Sequence, residues 1–380
     1  MKFLFASDSF KGTLSSEKII DLLTKAANDV FPGCETAGTL IADGGEGTVD
    51  AVIAMTKGSM VEVPVHGPLM EETRAVYGKI NDDSAIIEMA AASGLPMVPT
   101  ELRNPLNTTT YGTGELIKDA LDKGFRRISI AIGGSATNDG GMGAMAALGV
   151  KFFDKDGNLL KGVGSDLAKV AKVDVGGLHP AVKETTFTVM CDVNNPLTGP
   201  AGATYTFGKQ KGATPEILDE LEAGMKSYAA VVGEALGMDI DHIAGAGAAG
   251  GLGAALCGFL KANLKSGIET VLDLIHFDEM LEGVDVVVTG EGRIDWQSAF
   301  GKVPSGIGMR CKNKGIPAVA IVGGMGKGAE KIYEFGVESI LPTIDGAMDI
   351  EEALERAEEL YQAAAERMFR FLKVGMSLGK

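Results

Sequence analysis

The chain has 380 residues, a length that points to two domains rather than one core. Its residues are 45% hydrophobic and 23% charged, the balance of a globular protein; with only 6% aromatic, packing must lean on Ala, Val, Ile, Leu and Met. A formal net charge of −16 sets the surface against nucleic acid and anionic lipid, so small molecules are the expected partners, with cations gathered locally around any anionic one.

Residues 2–7 (KFLFAS) suit a buried strand. The run is too short for a signal-peptide core and no later stretch approaches a membrane span, so a cytoplasmic location is expected. A helix follows, capped by Ser15 or Ser16, with Glu17 in its first turn. Ile19, Leu22, Leu23, Ala26, Ala27 and Val30 keep helical spacing, and Pro32-Gly33 stop it. A strand over 36–42 (TAGTLIA), a glycine-rich turn and a helix near 46–56 complete a βαβα opening, the pattern of a parallel sheet covered by helices.

Near residue 58 the pattern changes. SMVEVPVHGP, ETRAVYGKI and DSAIIEMA read as strands in quick succession, the start of a mixed or antiparallel sheet. Strand–loop–helix units resume at 128–132 (ISIAI) and 185–191 (TTFTVMC). Thr214 caps a helix to 236, with Pro215 in its first position and Ile217, Leu221, Met225, Tyr228 and Val232 as its stripe. From 284 come VDVVVTG, a helix near 305–314, PAVAIVGG, a helix near 327–335, and SILPT. A last helix opens with Asp349 and Glu352 in capping-box spacing. The reading is a two-domain α/β protein. Residues 1–58 and 284–380 form a doubly wound, mostly parallel sheet of Rossmann or flavodoxin type, and residues 59–283 form a large inserted mixed α/β domain.

Glycine accounts for 53 of the 380 residues. That is about twice the usual share of roughly 7%, and no repeat absorbs it, so the glycines belong to loops. Five polar loops follow apolar strands, where open α/β sheets place their ligands. In the first, residues 8–13, Lys11 can pair with a phosphate or carboxylate beside a helix N-terminus; a solvated turn capped by Asp8 fits the same residues. In the second, Asp43 and Glu46 flank paired glycines that let backbone approach a ligand, and the acids suit hydroxyls or a metal.

The third loop, residues 133–143 (GGSATNDGGMG), is the densest. Backbone N–H groups at Gly133 and Gly134, with Ser135, Thr137 and Asn138 as donors, make a phosphate nest, and Asp139 suits Mg²⁺. The fourth places Asp192 at a strand tip, positioned as a general base, although an Asp-initiated turn closed by Asn195-Pro196 accounts for it nearly as well. Residues 207–212 then add a small basic patch. The fifth holds Glu291, Arg293 and Asp295, with Lys302 shortly after; an internal salt-bridge network is the plain alternative.

Other chemistries lack their parts. Cys34, Cys191, Cys257 and Cys311 form no CxxC or Cys/His cluster, which argues against a structural zinc or a disulfide framework and for four reduced cysteines that act mostly as small apolar packing. His66, His179, His242 and His276 are scattered away from the loops, against Ser-His-Asp hydrolysis. Gly245 to Gly250 match GxGxxG but follow a poor strand, so tight packing or a ligand-facing turn fits better than a dinucleotide site. GxxxxGK[ST] is absent, as is the protein-kinase motif set. Many amide donors, several carboxylates and a few cations remain, the kit of phosphoryl transfer.

Taken together, DSFKGTLS, ADGGEGT, GGSATNDGGMG, CDVNNPL with GKQKGA, GAGAAGGLGAAL, and VTGEGRIDWQS with a following GK resemble, in order and spacing, the class I bacterial glycerate kinase family. Trp296-Gln297-Ser298 is a small departure from that pattern, local to one turn. The resemblance implies a two-domain fold with an interdomain site, transferring the ATP γ-phosphoryl group to D-glycerate with Mg²⁺, 2-phosphoglycerate being favoured over 3-phosphoglycerate. On that basis Asp192 is expected as general base, with Asp8 its rival. Lys11 and Arg293 would hold the glycerate carboxylate or the moving phosphoryl group, and Asp43 and Glu46 the substrate hydroxyls or the metal. Gly133, Gly134, Ser135, Thr137, Asn138 and Lys302 would bind ATP phosphates, and Asp139, Glu291 and Asp295 the Mg²⁺. A homodimer is left open. Rival readings are a kinase of another small hydroxy acid or triose, an NAD(P)-dependent oxidoreductase, and a non-catalytic ligand sensor.

Overall fold

The structure is a computed structural model that describes residues 1–45, 47–299 and 301–378. In chain order β1 (Lys2–Ser7), α1 (Ser16–Val30) and β2 (Glu35–Gly38) come first, then α2 (Thr48–Thr56) and the strands β3 (Ser59–His66), β4 (Glu72–Lys79) and β5 (Ser84–Glu88). Next are α3 (Tyr111–Asp122), β6 (Arg127–Ala131), α4 (Met142–Ala147), β7 (Thr186–Met190), α5 (Pro215–Leu236), α6 (Leu252–Leu260) and β8 (Asn263–Lys265). The chain finishes with β9 (Val286–Gly290), α7 (Val303–Lys314), β10 (Ala318–Val322), β11 (Val337–Pro342), α8 (Ile350–Glu355) and α9 (Ala357–Leu378). Among the described residues no helix is long and apolar enough to cross a membrane.

Two compact units emerge, Met1–Asp43 with Val271–Lys380, and Gly44–Thr270. The first holds a five-stranded parallel sheet in the order β11-β10-β9-β1-β2. Because strand side chains alternate in direction, Phe3, Phe5, Val286, Val288, Val319 and Ile321 all fall on one face. That face packs on the apolar stripes of α1 and α9, including Ile19, Leu23, Ala26, Tyr361 and Phe369. The opposite face buries Ala320 and Val322 against Ile294, Ile332 and Val337.

The second unit has a six-stranded mixed sheet, β8-β7-β6-β5-β4-β3, parallel from β8 to β5 and antiparallel through β4 and β3. The mostly parallel sheet and the mixed α/β unit agree with the expected fold class. Helix α2 groups with the second unit: Val49 N donates to Glu88 Oε1 at the end of β5 at 2.8 Å. The helix over 214–236 is as read, with Thr214 Oγ1 accepting from Ile217 N.

Three local readings change. The expected strand over 36–42 pairs only at Glu35–Gly38; Thr39 N still reaches Phe5 O at 2.9 Å, and then the chain leaves the sheet edge. The segment near 327–335 is a 3₁₀ turn, Ala329–Phe335, whose buried side chains Ala329 and Ile332 lie three apart, the repeat of that tighter helix. The final helix is broken into α8 and α9 at Arg356. Asp349 Oδ1 accepts from Glu352 N at 2.8 Å, but the Glu352 carboxylate turns to Arg356 rather than back to the cap.

Phe369 is the keystone of the first core. It is fully buried, with its ring centroid 5.1 Å from that of Phe3, 6.3 Å from Phe5 and 6.4 Å from Phe31. Phe369→Ala is expected to lower stability by about 3–5 kcal/mol, through lost burial and the cavity left behind. Urea unfolding followed by circular dichroism measures it, and a loss below about 1 kcal/mol would mean α9 does not close this core.

Candidate active site

A parallel sheet places the C-terminal tips of its strands in a row, and both units carry their chemistry there. In the first unit Asp8 follows β1, Asp43 lies in the chain beyond β2, and Glu291 and Arg293 follow β9. With Lys11 and Lys302 they line one cavity of about 490 Å³. Six of the expected site residues therefore meet in a single pocket. Asp295, two residues beyond Arg293, is not among the residues that line it.

The charges inside perturb one another. Asp8 is fixed by its backbone N–H to Gly290 O at 3.0 Å, and its Oδ1 accepts from Ser9 N at 2.7 Å. Burial raises its pKa to about 6, helped by the nearby Asp43 and Glu291 carboxylates and opposed by the Ser9 bond and Lys11. Glu291 is almost fully buried, and burial pushes its pKa up against the pull of the Ser298 hydroxyl and Lys302. Its Oε2 lies 3.4 Å from Lys302 Nζ, while Oε1 has no hydrogen-bond partner among the described residues.

The second unit gathers Gly44, Gly45, Gly133 and Gly134 near one another at the tip of β6; a Cβ on Gly133 would lie 3.7 Å from Gly44 O. Gly133 and Gly134 are exposed, as expected of a ligand-facing turn. Asp192 follows β7, is exposed, and accepts from Gly267 N at 3.0 Å. Glu46 lies outside the described residues.

Other members of that loop turn inward, a correction to the expectation that they face a ligand. Thr137, Asn138 and Asp139 are fully buried and Ser135 nearly so. Asp139 accepts from Thr110 N and Thr110 Oγ1, both at 2.8 Å, from Gly141 N at 3.0 Å and from Gly143 N at 3.2 Å. Asn138 Nδ2 donates to Thr204 Oγ1 at 3.2 Å. Lys211, part of the basic patch over residues 207–212, is also buried and donates to Thr137 O at 2.6 Å. The GxGxxG stretch proves to be packing: Gly250 has φ +66°, and a Cβ there would lie 2.0 Å from Thr137 O. The sequence reading missed Thr110 and the apolar pocket wall of Ile344, Ile350 and Leu354. The polar run before α3 signals the first; only the pocket reveals the second.

Fold and site together define an α/β kinase whose carboxylates and cations converge at strand tips. The chain belongs to the glycerate kinase family: the profile described as "Glycerate kinase family" matches residues 3–373. It is 43% identical over 379 residues to the glycerate kinase of Bacillus subtilis (strain 168), covering 100% of this chain and 99% of that one. It is 42% identical to the glycerate 2-kinase of Escherichia coli (strain K12), covering 99% of each. A crystal structure described as a glycerate kinase 2 from Salmonella typhimurium LT2 superposes with a TM-score of 0.88 at 42% identity, covering 99% of both chains.

The raised Asp8 pKa has a consequence for stability. Between pH 3.8 and about 6 the folded chain holds a proton that the unfolded chain has released. Stability from this group therefore falls as pH rises through that window and stays low above it. Asp8→Asn should be more stable than the parent at pH 8, with the gap closing below pH 6 and gone below about 4. Paired urea melts at pH 4 and pH 8 check this; a variant less stable at pH 8 contradicts it.

Proposed function

We propose that the protein transfers the γ-phosphoryl group of ATP to D-glycerate, giving 2-phosphoglycerate in preference to 3-phosphoglycerate. The observation that carries this is the first unit's pocket, where Lys11, Arg293 and Lys302 meet Asp8, Asp43 and Glu291. Phosphoryl transfer depends on positioning and charge neutralisation, and this pocket offers both, with a carboxylate able to accept the acceptor hydroxyl's proton. Arg293 suits the glycerate carboxylate, since a guanidinium fork matches a carboxylate in two parallel bonds. Asp43 suits a glycerate hydroxyl, and Lys11 and Lys302 the phosphoryl oxygens. On the second unit, Gly133 and Gly134 offer exposed backbone N–H groups to an anionic oxygen.

Among the described residues no three His, Cys, Asp or Glu side chains converge to cage a metal by themselves. Mg²⁺ does not require that, because it commonly takes one or two carboxylates and completes its shell with water and phosphate oxygens. Glu291 fits, with a buried oxygen lacking any partner among the described residues, and Asp295 is near enough for its charge to raise the proton affinity of Glu291. When bound, the ion would neutralise phosphate charge. Asp139 is assigned a structural role instead, its oxygens being committed to Thr110, Gly141 and Gly143.

For the base, the observations favour Asp8 over Asp192. A carboxylate with a pKa of about 6 inside a charged pocket is deprotonated at neutral pH yet basic enough to take a proton, whereas Asp192 is exposed and holds Gly267. Asp8→Asn should lower kcat by roughly 10²–10⁴ and remove the acid limb near pH 6 from the kcat/KM profile. Asp192→Asn should keep that limb, and the reverse result would return the role to Asp192. Phosphorus NMR of the product from D-glycerate, ATP and Mg²⁺ tests substrate and regiochemistry together. A resonance from any other ester, or none, overturns the reading.

A further inference from the structure

Part of the first unit's pocket has a chemistry that glycerate cannot use. The strand order β11-β10-β9-β1-β2 sorts its lining. Loops beyond β2, β1 and β9 supply Asp43, Asp8, Lys11, Glu291, Arg293 and Lys302. Beyond β10 and β11 the lining changes to Met325, Ile344, and the α8 residues Ile350 and Leu354. These four large apolar side chains are 50%, 38%, 68% and 51% exposed, respectively. They lie together on one cavity wall, and a ligand that covers such apolar surface gains from its removal from water. Glycerate carries an oxygen on every carbon and gains almost nothing from such a wall.

We infer that Met325, Ile344, Ile350 and Leu354 form the seat of the nucleotide base, with the triphosphate running along the sheet edge towards Lys302 and Lys11. The inference rests on ATP being the phosphoryl donor. Five strands about 4.8 Å apart span roughly 19 Å, the scale of an extended nucleoside triphosphate. The pocket follows that edge from Asp43 beyond β2 to Ile344 beyond β11, charged on one side and apolar on the other. Its division matches the division of the ligand. The wall offers little hydrogen-bonding specificity, since the Thr343 hydroxyl is already directed at Gly323 O at 3.4 Å. The seat therefore reads the flat shape of a purine more than its edge, and adenine and guanine nucleotides should bind within about tenfold of each other.

The test is calorimetric binding of ADP, GDP and inorganic tripolyphosphate to the parent chain and to Ile350→Ser, Leu354→Ser and Leu354→Met, with KM for both substrates. The four wall residues are well exposed, and melting curves confirm that each variant is folded. Each Ser variant is expected to weaken ADP about tenfold or more, with tripolyphosphate affinity and KM for glycerate unchanged and Leu354→Met close to the parent. Unchanged ADP affinity in both Ser variants overturns the seat, as does an equal loss for ADP and tripolyphosphate. A dimer that dissociates in the Ser variants while ADP affinity holds also overturns it, and assigns the wall to a second copy. A parent chain that binds ADP but makes no phosphoglycerate from ATP defeats the donor reading instead, and one that binds no nucleotide defeats both.

Discussion

The carboxylate of Asp139 is sealed from water, a placement that costs several kcal/mol unless hydrogen bonds replace hydration. Burial accordingly pushes its pKa up, and the bonds from Thr110, Gly141 and Gly143 pull the other way. Those bonds tie the start of α3 to the start of α4 through one side chain. The approach is so close that Gly143 has no room for a side chain: a Cβ would lie 2.0 Å from Thr109 Oγ1. Lys211 completes the buried cluster. Its pKa is pushed down to about 7 by burial, with the Asp139 charge opposing, and it grips the Thr137 carbonyl. Residues 135–143 are thus held from inside, which leaves Gly133 and Gly134 as the exposed part of the loop.

The first unit solves a related problem by topology rather than by a buried anchor. Parallel strands align their tips, so residues distant in sequence, such as Asp8 and Glu291, come close enough for the Glu291 charge to add to the proton affinity that burial gives Asp8. The aromatic packing of Phe3, Phe5 and Phe369 fixes β1 from behind, and the register Ser7↔Gly290 sets Asp8 level with the loop that carries Glu291 and Arg293. Strand order then decides which chemistry neighbours which.

How much of this could be read in the sequence follows from how local each feature is. Helix α5 announces itself through Thr214, Pro215 and a stripe at helical spacing, all within one segment. The site loops are legible because they follow apolar strands, and Asp8, Lys11, Asp43, Glu291, Arg293 and Lys302 all reach the one pocket. The direction of a loop side chain is a different matter. Asp139 faces inward because Thr110 meets it, and Asn138 because Thr204 does, partners 29 and 66 residues away. Nothing in GGSATNDGGMG separates a ligand-facing donor from a buried one. Ile350 and Leu354 illustrate the converse, since spacing alone makes them look like an ordinary buried stripe although both stand exposed on the pocket wall.

An acidic chain that acts on an anion must neutralise charge locally without attracting every anion. The pocket meets this by mixing its charges, with Lys11, Arg293 and Lys302 facing Asp8, Asp43 and Glu291. A bare polyanion entering there would meet three carboxylates as well as three cations, and the net charge of −16 repels it from outside. On the proposed reading, a nucleotide that carries its own divalent cation meets both signs favourably, since its metal answers the carboxylates while its phosphate oxygens answer the lysines. The pair Glu291–Lys302 embodies this balance. At 3.4 Å it is a loose contact, and the other Glu291 oxygen has no partner among the described residues, so a ligand can enter without first breaking a well-made ion pair. Burial is the main reason that Asp8 and Glu291 hold raised proton affinity, with neighbouring carboxylates adding to it, Asp43 for Asp8 and Asp295 for Glu291, and a bound cation would relieve both.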